Sequence, residues 1–215
     1  MMILKTIKTG PLLNNVILIG CDKTKEAAVI DPAFDSFDRI MEIAKKLKLN
    51  IKHILLTHSH WDHIANVWIF KNKLKSLVYV HEDDKKNLEN PGNDTLPFVG
   101  EIKGVKPDIL LKDHDIIEVG DINIEVIHTP GHTVGSVCYY IPEEKIVLTG
   151  DTLFKGNVGS CHFSNSAPTK MKKSLRKLFL EVEGDSLIIP GHGVNTKMKH
   201  EIKFIDFPDD FFTSK

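Results

Sequence analysis

Cysteine is scarce in this 215-residue sequence: Cys21, Cys138 and Cys161 are odd in number, scattered and without a CxxC pair. That argues against a disulfide framework and points to a reducing compartment, the cytoplasm. Long apolar runs are missing as well. No window approaches the ~18 residues of a membrane span. Lysines also interrupt the opening MMILKTIKTGPLLNN, where a signal peptide would be continuously apolar. Nor is there a surplus of one charge. The formal net charge is −1, so no basic field is available to hold a nucleic acid. Lysines 170, 172, 173 and 177 cluster, but Met171, Leu175 and Leu178 recur among them at helical spacing. They read as the solvated face of an amphipathic helix. Internal repeats and low-complexity segments are absent too.

What is present is an ordinary globular composition, long enough to bury a core as one domain over residues 1–215. NVILIG (15–20) and EAAVIDP (26–32) flank a turn and predict a β-hairpin. Ser36 is placed as the N-cap of a helix with Phe37, Ile40, Met41, Ala44 and Leu47 on one face. KHILLT (52–57) is the continuous apolar run of a strand buried on both sides. A helix is predicted over 64–70, a strand over 76–80 and a polar helix over EDDKKNLE. Residues 90–107 hold three prolines and three glycines and read as a functional loop. Strands follow over 121–128, 136–141 and 145–150, then a helix over 169–180, a strand over 186–190 and a last helix over 197–205. The order predicts a mixed α/β domain with helices against sheets.

Several of the eleven histidines stand where strands end. His58, His60, Asp62 and His63 follow HILLT, His132 follows IEVIH in TPGHT, Asp151 follows KIVL in TGDT, and His192 follows SLII in PGHG. Loops at one edge of a rigid sheet are where active sites are commonly assembled. In extended chain, residues i and i+2 point the same way, so His58 and His60 can share one ion. A catalytic zinc takes three protein ligands plus water. Seven donors therefore suit two ions, with His58, His60 and His132 on one, Asp62, His63 and His192 on the other, and Asp151 between them. Two such ions can hold a hydroxide near neutral pH and polarise a carbonyl or phosphoryl oxygen. Any one of these features alone is usually a turn or cap. Four in order, each after a strand, argue against coincidence.

Of the remaining histidines, His53, His81, His114, His128 and His200 have bland readings, with His128 a supporting residue rather than a ligand. Cys138 alternates with Val137 and Tyr139 and belongs to the core. The loop around Asn157, Ser160, Cys161 and His162 follows Asp151 and is the candidate for substrate contact.

THSHWDH, TPGHTVGSV, LTGDTLF and PGHG together resemble the metallo-β-lactamase superfamily over nearly the whole chain. The resemblance implies a four-layer αββα sandwich with a dinuclear site at one edge, holding the ligand split given above. Asp31 in VIDP matches an aspartate that usually supports such sites from behind the ligands. Within the superfamily the motifs look most like glyoxalase II (hydroxyacylglutathione hydrolase) in its short form, which lacks a C-terminal helical domain. That likeness implies a small thioester substrate derived from glutathione. Its carbonyl would be attacked by a metal-bridging hydroxide, with Asp62 and Asp151 as the catalytic carboxylates and two divalent ions, zinc first, as cofactors. Iron or manganese suits the same donors. One departure stands out: the loop reads GNVGSCHFSNS, with Ser160 where relatives place a basic residue and His162 where they place Asp. Two rival activities use the same fold. A mononuclear-iron persulfide dioxygenase would need His58, His132 and Asp151. A phosphodiesterase or RNA-processing hydrolase would need two metals and a nucleic acid.

Overall fold

The computed structural model describes residues 1–92 and 101–206. Its first sheet joins β1 (Met2–Thr9), β2 (Asn14–Cys21), β3 (Glu26–Ile30), β4 (Asn50–Leu55), β5 (Leu77–His81) and β6 (Ile109–Leu111), paired in that order. Between them lie α1 (Phe37–Leu47), α2 (Trp61–Ile64), α3 (Val67–Leu74) and α4 (Lys85–Glu89). The second sheet is built from β7 (Ile116–Val119), β8 (Ile122–His128), β9 (Val137–Ile141) and β10 (Ile146–Gly150), continued by β13 (Leu187–Pro190) and β14 (Thr196–Lys197). A small ribbon of β11 (Leu153–Phe154) and β12 (Asn157–Val158) and the helices α5 (Pro168–Glu181) and α6 (Met198–Glu201) complete the elements.

Side-chain alternation along the strands explains the layering. Ile17 and Ile19 point between the sheets, where they meet Ile124, Val126, Tyr139, Leu148 and Ile189. Their neighbours Val16 and Leu18 point the other way, onto Ile40 and Ala44 of α1 and Val67 and Phe70 of α3. On the far side, Val147 and Ile188 pack against Met171, Leu175 and Leu178 of α5. The result is helix, sheet, sheet, helix, the αββα sandwich. Strands covered on both faces must be apolar throughout, hence the unbroken runs in β2 and β10.

Strand direction places the functional loops. β3, β4 and β5 run parallel, as do β10 and β13. β8 is antiparallel to β9, which is antiparallel to β10, so β8, β10 and β13 point the same way. The sheets are laced together at that end: Val137 N–H donates to Thr57 O (2.8 Å), and Tyr139 Oη donates to Leu56 O (2.7 Å).

Some expectations are corrected. Ser36 does not cap α1 with its side chain; its hydroxyl donates to Ala33 O at 2.7 Å. The capping oxygen comes from thirty residues downstream: Asn66 Oδ1 accepts from the N–H groups of Ser36 and Phe37, both at 3.2 Å. Asn66 lies where the helix expected over 64–70 is interrupted between α2 and α3. Replacing Asn66 by Ala is expected to cost about 1–2 kcal/mol, the value of a good N-cap, read as a lower urea midpoint at unchanged slope. The last helix is α-helical only over Met198–Glu201 and tightens to a 3-10 turn through Asp206. β1 was not anticipated, because its lysines break the apolar pattern of an edge strand. Of the loop 90–107, residues 93–100 lie outside the described residues, while Ile102 and Val105 are buried against the first helical layer.

Candidate metal centre

All seven predicted donors converge at the edge where β4, β8, β10 and β13 end. His58 and His60 follow β4 in extended chain, and α2 starts at Trp61, carrying Asp62 and His63 inward on its first turn. Nitrogens of His58, His60 and His132 lie within 4.8 Å of one another, as do donor atoms of Asp62, His63 and His192. Asp151 reaches both groups. Its Oδ2 lies 3.6 Å from His132 Nε2 and 3.6 Å from His192 Nε2, and its Oδ1 lies 3.4 Å from His63 Nε2. Close approach at this edge depends on Gly150, whose φ is +48° and whose Cβ, if present, would sit 2.3 Å from Thr57 Oγ1.

The outer nitrogens fix the tautomers. His132 Nδ1 donates to Ser160 O (2.8 Å) and His192 Nδ1 to Leu12 O (3.0 Å). His63 Nδ1 donates to Asp31 Oδ2 (2.9 Å), and His60 Nε2 to Asn165 Oδ1 (3.2 Å). Thr57 Oγ1 donates to Asp31 Oδ2 (2.6 Å), which leaves its lone pair to accept from His58 Nδ1 (3.1 Å). With one nitrogen of each imidazole anchored outward, the other is left for a ligand in the centre. Asp31 thus touches His63 directly and His58 through Thr57.

Electrostatics separate the two groups. Burial, reinforced by neighbouring histidines, holds His58 and His132 well below the ordinary imidazole value, so both are neutral. Burial acts the same way on His63, but Asp62, Asp151 and Asp31 outweigh it and raise the ring well above that value. At His192 burial is likewise overcome, by the hydrogen bond to Asp62 and the charge of Asp151. Burial works against the Asp62 carboxylate, yet His63, His192 and Asn14 hold it well below the usual range. Burial raises Asp151.

These residues fit divalent ions. His58 Nε2, His132 Nε2 and Asp151 Oδ1 are buried with no hydrogen-bond partner. Such atoms cost roughly 1–3 kcal/mol each when nothing completes them. The neutral imidazoles of His58 and His132, with His60 beside them, make a ready first donor set. In the second, Asp62 and Asp151 favour the protonated forms of His63 and His192, and an ion there would displace those protons.

Sequence reasoning missed several neighbours. Asn14 Nδ2 donates to Asp62 Oδ2 at 2.7 Å from the start of β2, and Phe163 packs edge-on against His60 and His132. A cavity of 350 Å³ beside His192 is lined by Phe154, Lys155, Asn157 and Val194, so Lys155 brings a cation to the mouth of the site. Only position in LTGDTLFK could have flagged it. Ser160 lines an adjoining 380 Å³ cavity with Asn157, Cys161 and His162. Its carbonyl supports His132, a role the residue type does not reveal. Cys161 is buried, and burial pushes its thiol up to about 12, which removes it as a nucleophile. His81, Asp83 and His128 also approach within 4.8 Å. Their imidazoles stack in parallel, 3.8 Å apart at 13°. Lone pairs lying in parallel ring planes do not converge on one ion at the ~2.0–2.1 Å that zinc–nitrogen bonds require. The rings of His58, His60 and His132, by contrast, meet at 79–84°.

Known proteins share this arrangement of chain. The chain is 32% identical over 183 residues to the hydroxyacylglutathione hydrolase GloC of Haemophilus influenzae, covering 84% of this chain and 86% of that protein. The crystal structure of BLEG-1 B3 metallo-beta-lactamase superposes with a TM-score of 0.85 at 31% identity, covering 99% of this chain and 100% of the other. TTHA1623, crystallised in a di-iron-bound form, gives 0.79 at 29% identity over 93% of this chain and 98% of its own. The metallo-beta-lactamase superfamily profile matches residues 9–203, from the end of β1 past α6, and the chain belongs to that superfamily.

Proposed function

We propose that the protein is a dinuclear metal-dependent thioester hydrolase acting on glutathione-derived acyl thioesters. The observation that carries this reading is Asp151, one carboxylate within 3.6 Å of histidines from both donor groups. His58, His60 and His132 would hold the first ion, Asp62, His63 and His192 the second, and Asp151 would join them. Bound there, divalent ions supply a hydroxide at neutral pH and polarise the carbonyl oxygen. The chain's own residues do the rest. Asp31, Ser160 O, Leu12 O and Asn165 keep each imidazole oriented, so the donors need no rearrangement. Asp62 Oδ2, held by Asn14, lies 3.2 Å from His192 Nε2, placed to orient the attacking oxygen. Lys155 offers a partner for a substrate carboxylate at the cavity mouth. A thiolate leaves readily, and no acid group near the cavities is needed to protonate it. The identity to GloC supports the substrate class.

The test is elemental analysis of purified protein alongside hydrolysis of S-lactoylglutathione, lactones and phosphodiesters. Two transition metals per chain with thioester turnover is the expected result. One iron per chain with oxygen consumed on glutathione persulfide would overturn it in favour of a dioxygenase.

A further inference from the structure

The peptide between His58 and His60 is gripped by a turn that contributes nothing to the donor set. Asp84 ends the 3-10 turn Glu82–Asp84 and is 2% exposed. Its Oδ2 accepts from Ser59 N–H (2.7 Å) and Thr133 Oγ1 (3.0 Å), and its Oδ1 from Gly135 N–H (2.9 Å). Further along, Asn87 Nδ2 donates to Ser59 O at 2.7 Å. Ser59 thus has both backbone polar groups held from one short stretch. Thr133 directly follows His132, and the approach at Gly135 is close enough that a Cβ there would lie 2.6 Å from Asp84 Oδ1. One carboxylate therefore ties the loop of His58 and His60 to the loop of His132. A buried carboxylate is costly unless hydrogen-bonded, and here three donors from those two loops satisfy it.

We propose that Asp84 is a positioning residue that clamps these two loops in register, setting the affinity of the His58–His60–His132 site for its ion. The inference rests on the two-ion reading above. No contact from Asp84 reaches Asp62, His63 or His192 among the described hydrogen bonds, so its effect is confined to the first site. Partners behind metal ligands typically contribute 10–100-fold in affinity.

The experiment measures zinc affinity, by competition with a chromogenic chelator, in a His192→Ala background that leaves the first site intact. Asp84→Asn keeps one oxygen but turns an amide against either the Ser59 or the Gly135 N–H. Zinc affinity is expected to fall by about 10–100-fold. Thr133→Val, which removes one of the three bonds, shifts it less in the same direction, and Glu82→Gln, exposed on the same turn, leaves it unchanged. Urea midpoints of the metal-free variants separate loss of register from loss of fold. An Asp84→Asn affinity within about threefold of its parent, short of the roughly tenfold minimum for such partners, overturns the proposal. Should that variant not fold, equal affinities for Thr133→Val and Glu82→Gln overturn it instead. A protein that binds one ion before His192 is changed defeats the two-ion reading, yet the comparison still reads the clamp on the remaining ion. No zinc binding at all defeats both.

Discussion

Asp151→Ala is expected to abolish thioester hydrolysis and lower the metal content of the purified protein together. The reason is positional. Asp151 Oδ1 faces His63 Nε2 at 3.4 Å, while Oδ2 stands 3.6 Å from both His132 Nε2 and His192 Nε2. On the two-ion reading proposed above, removing it takes a donor from each ion and the negative charge between them. Deleting a single electrostatic group in a hydrolase site costs roughly 10²–10³-fold in rate, and here two sites are weakened at once. The loss should exceed that range. The checks are single-turnover hydrolysis of S-lactoylglutathione and elemental analysis of the same sample. Activity retained with one ion lost would defeat the dinuclear mechanism, and activity retained with both ions bound would defeat the bridging role.

The second large effect is on stability. Asp31→Ala is expected to destabilise the metal-free protein by about 3–5 kcal/mol, the usual loss when one partner of a buried charged pair is removed. Three donors lose their acceptor: Thr57 N–H (2.8 Å), Thr57 Oγ1 (2.6 Å) and His63 Nδ1 (2.9 Å). Asp31 also adopts a φ of +49°, a left-handed conformation that Asp and Asn tolerate better than Ala by roughly 1 kcal/mol. Asp31→Asn should therefore recover part of the loss. Urea unfolding of the metal-free variants reads both. A cost for Ala below about 1 kcal/mol, the net value of one ordinary hydrogen bond, would show that the carboxylate is not holding these donors.

Much of the candidate site is legible in the chain because each candidate donor marks a strand end. An apolar run followed by a glycine or turn and then His or Asp is a local pattern, and it recurs at 58–63, 132, 151 and 192. The supporting residues carry no such mark. Asn14, Asn165 and Asp84 are ordinary polar residues with no local signature, and each acquires its role from a partner far along the chain. The same holds for the α1 cap: Ser36 has the right residue type in the right place, yet Asn66 does the work because packing of α3 on β4 brings it there. Short strands were also missed. Residues 109–111, 116–119 and 196–197 are too brief for periodicity to declare.

By itself, then, the sequence determined the layered α/β character, through continuous apolar runs that only doubly covered strands need, and marked seven candidate donors. It could do so because burial and ligand chemistry constrain residue type position by position. Tertiary structure alone decided the rest. Parallel and antiparallel pairing turned four separate strand ends to one edge, and Asp151 came to stand between two groups of histidines. Outward hydrogen bonds to Asp31, Ser160 O, Leu12 O and Asn165 then turned each imidazole's free nitrogen inward. Those are relations between residues up to 180 positions apart, and no local pattern encodes a distance across the fold.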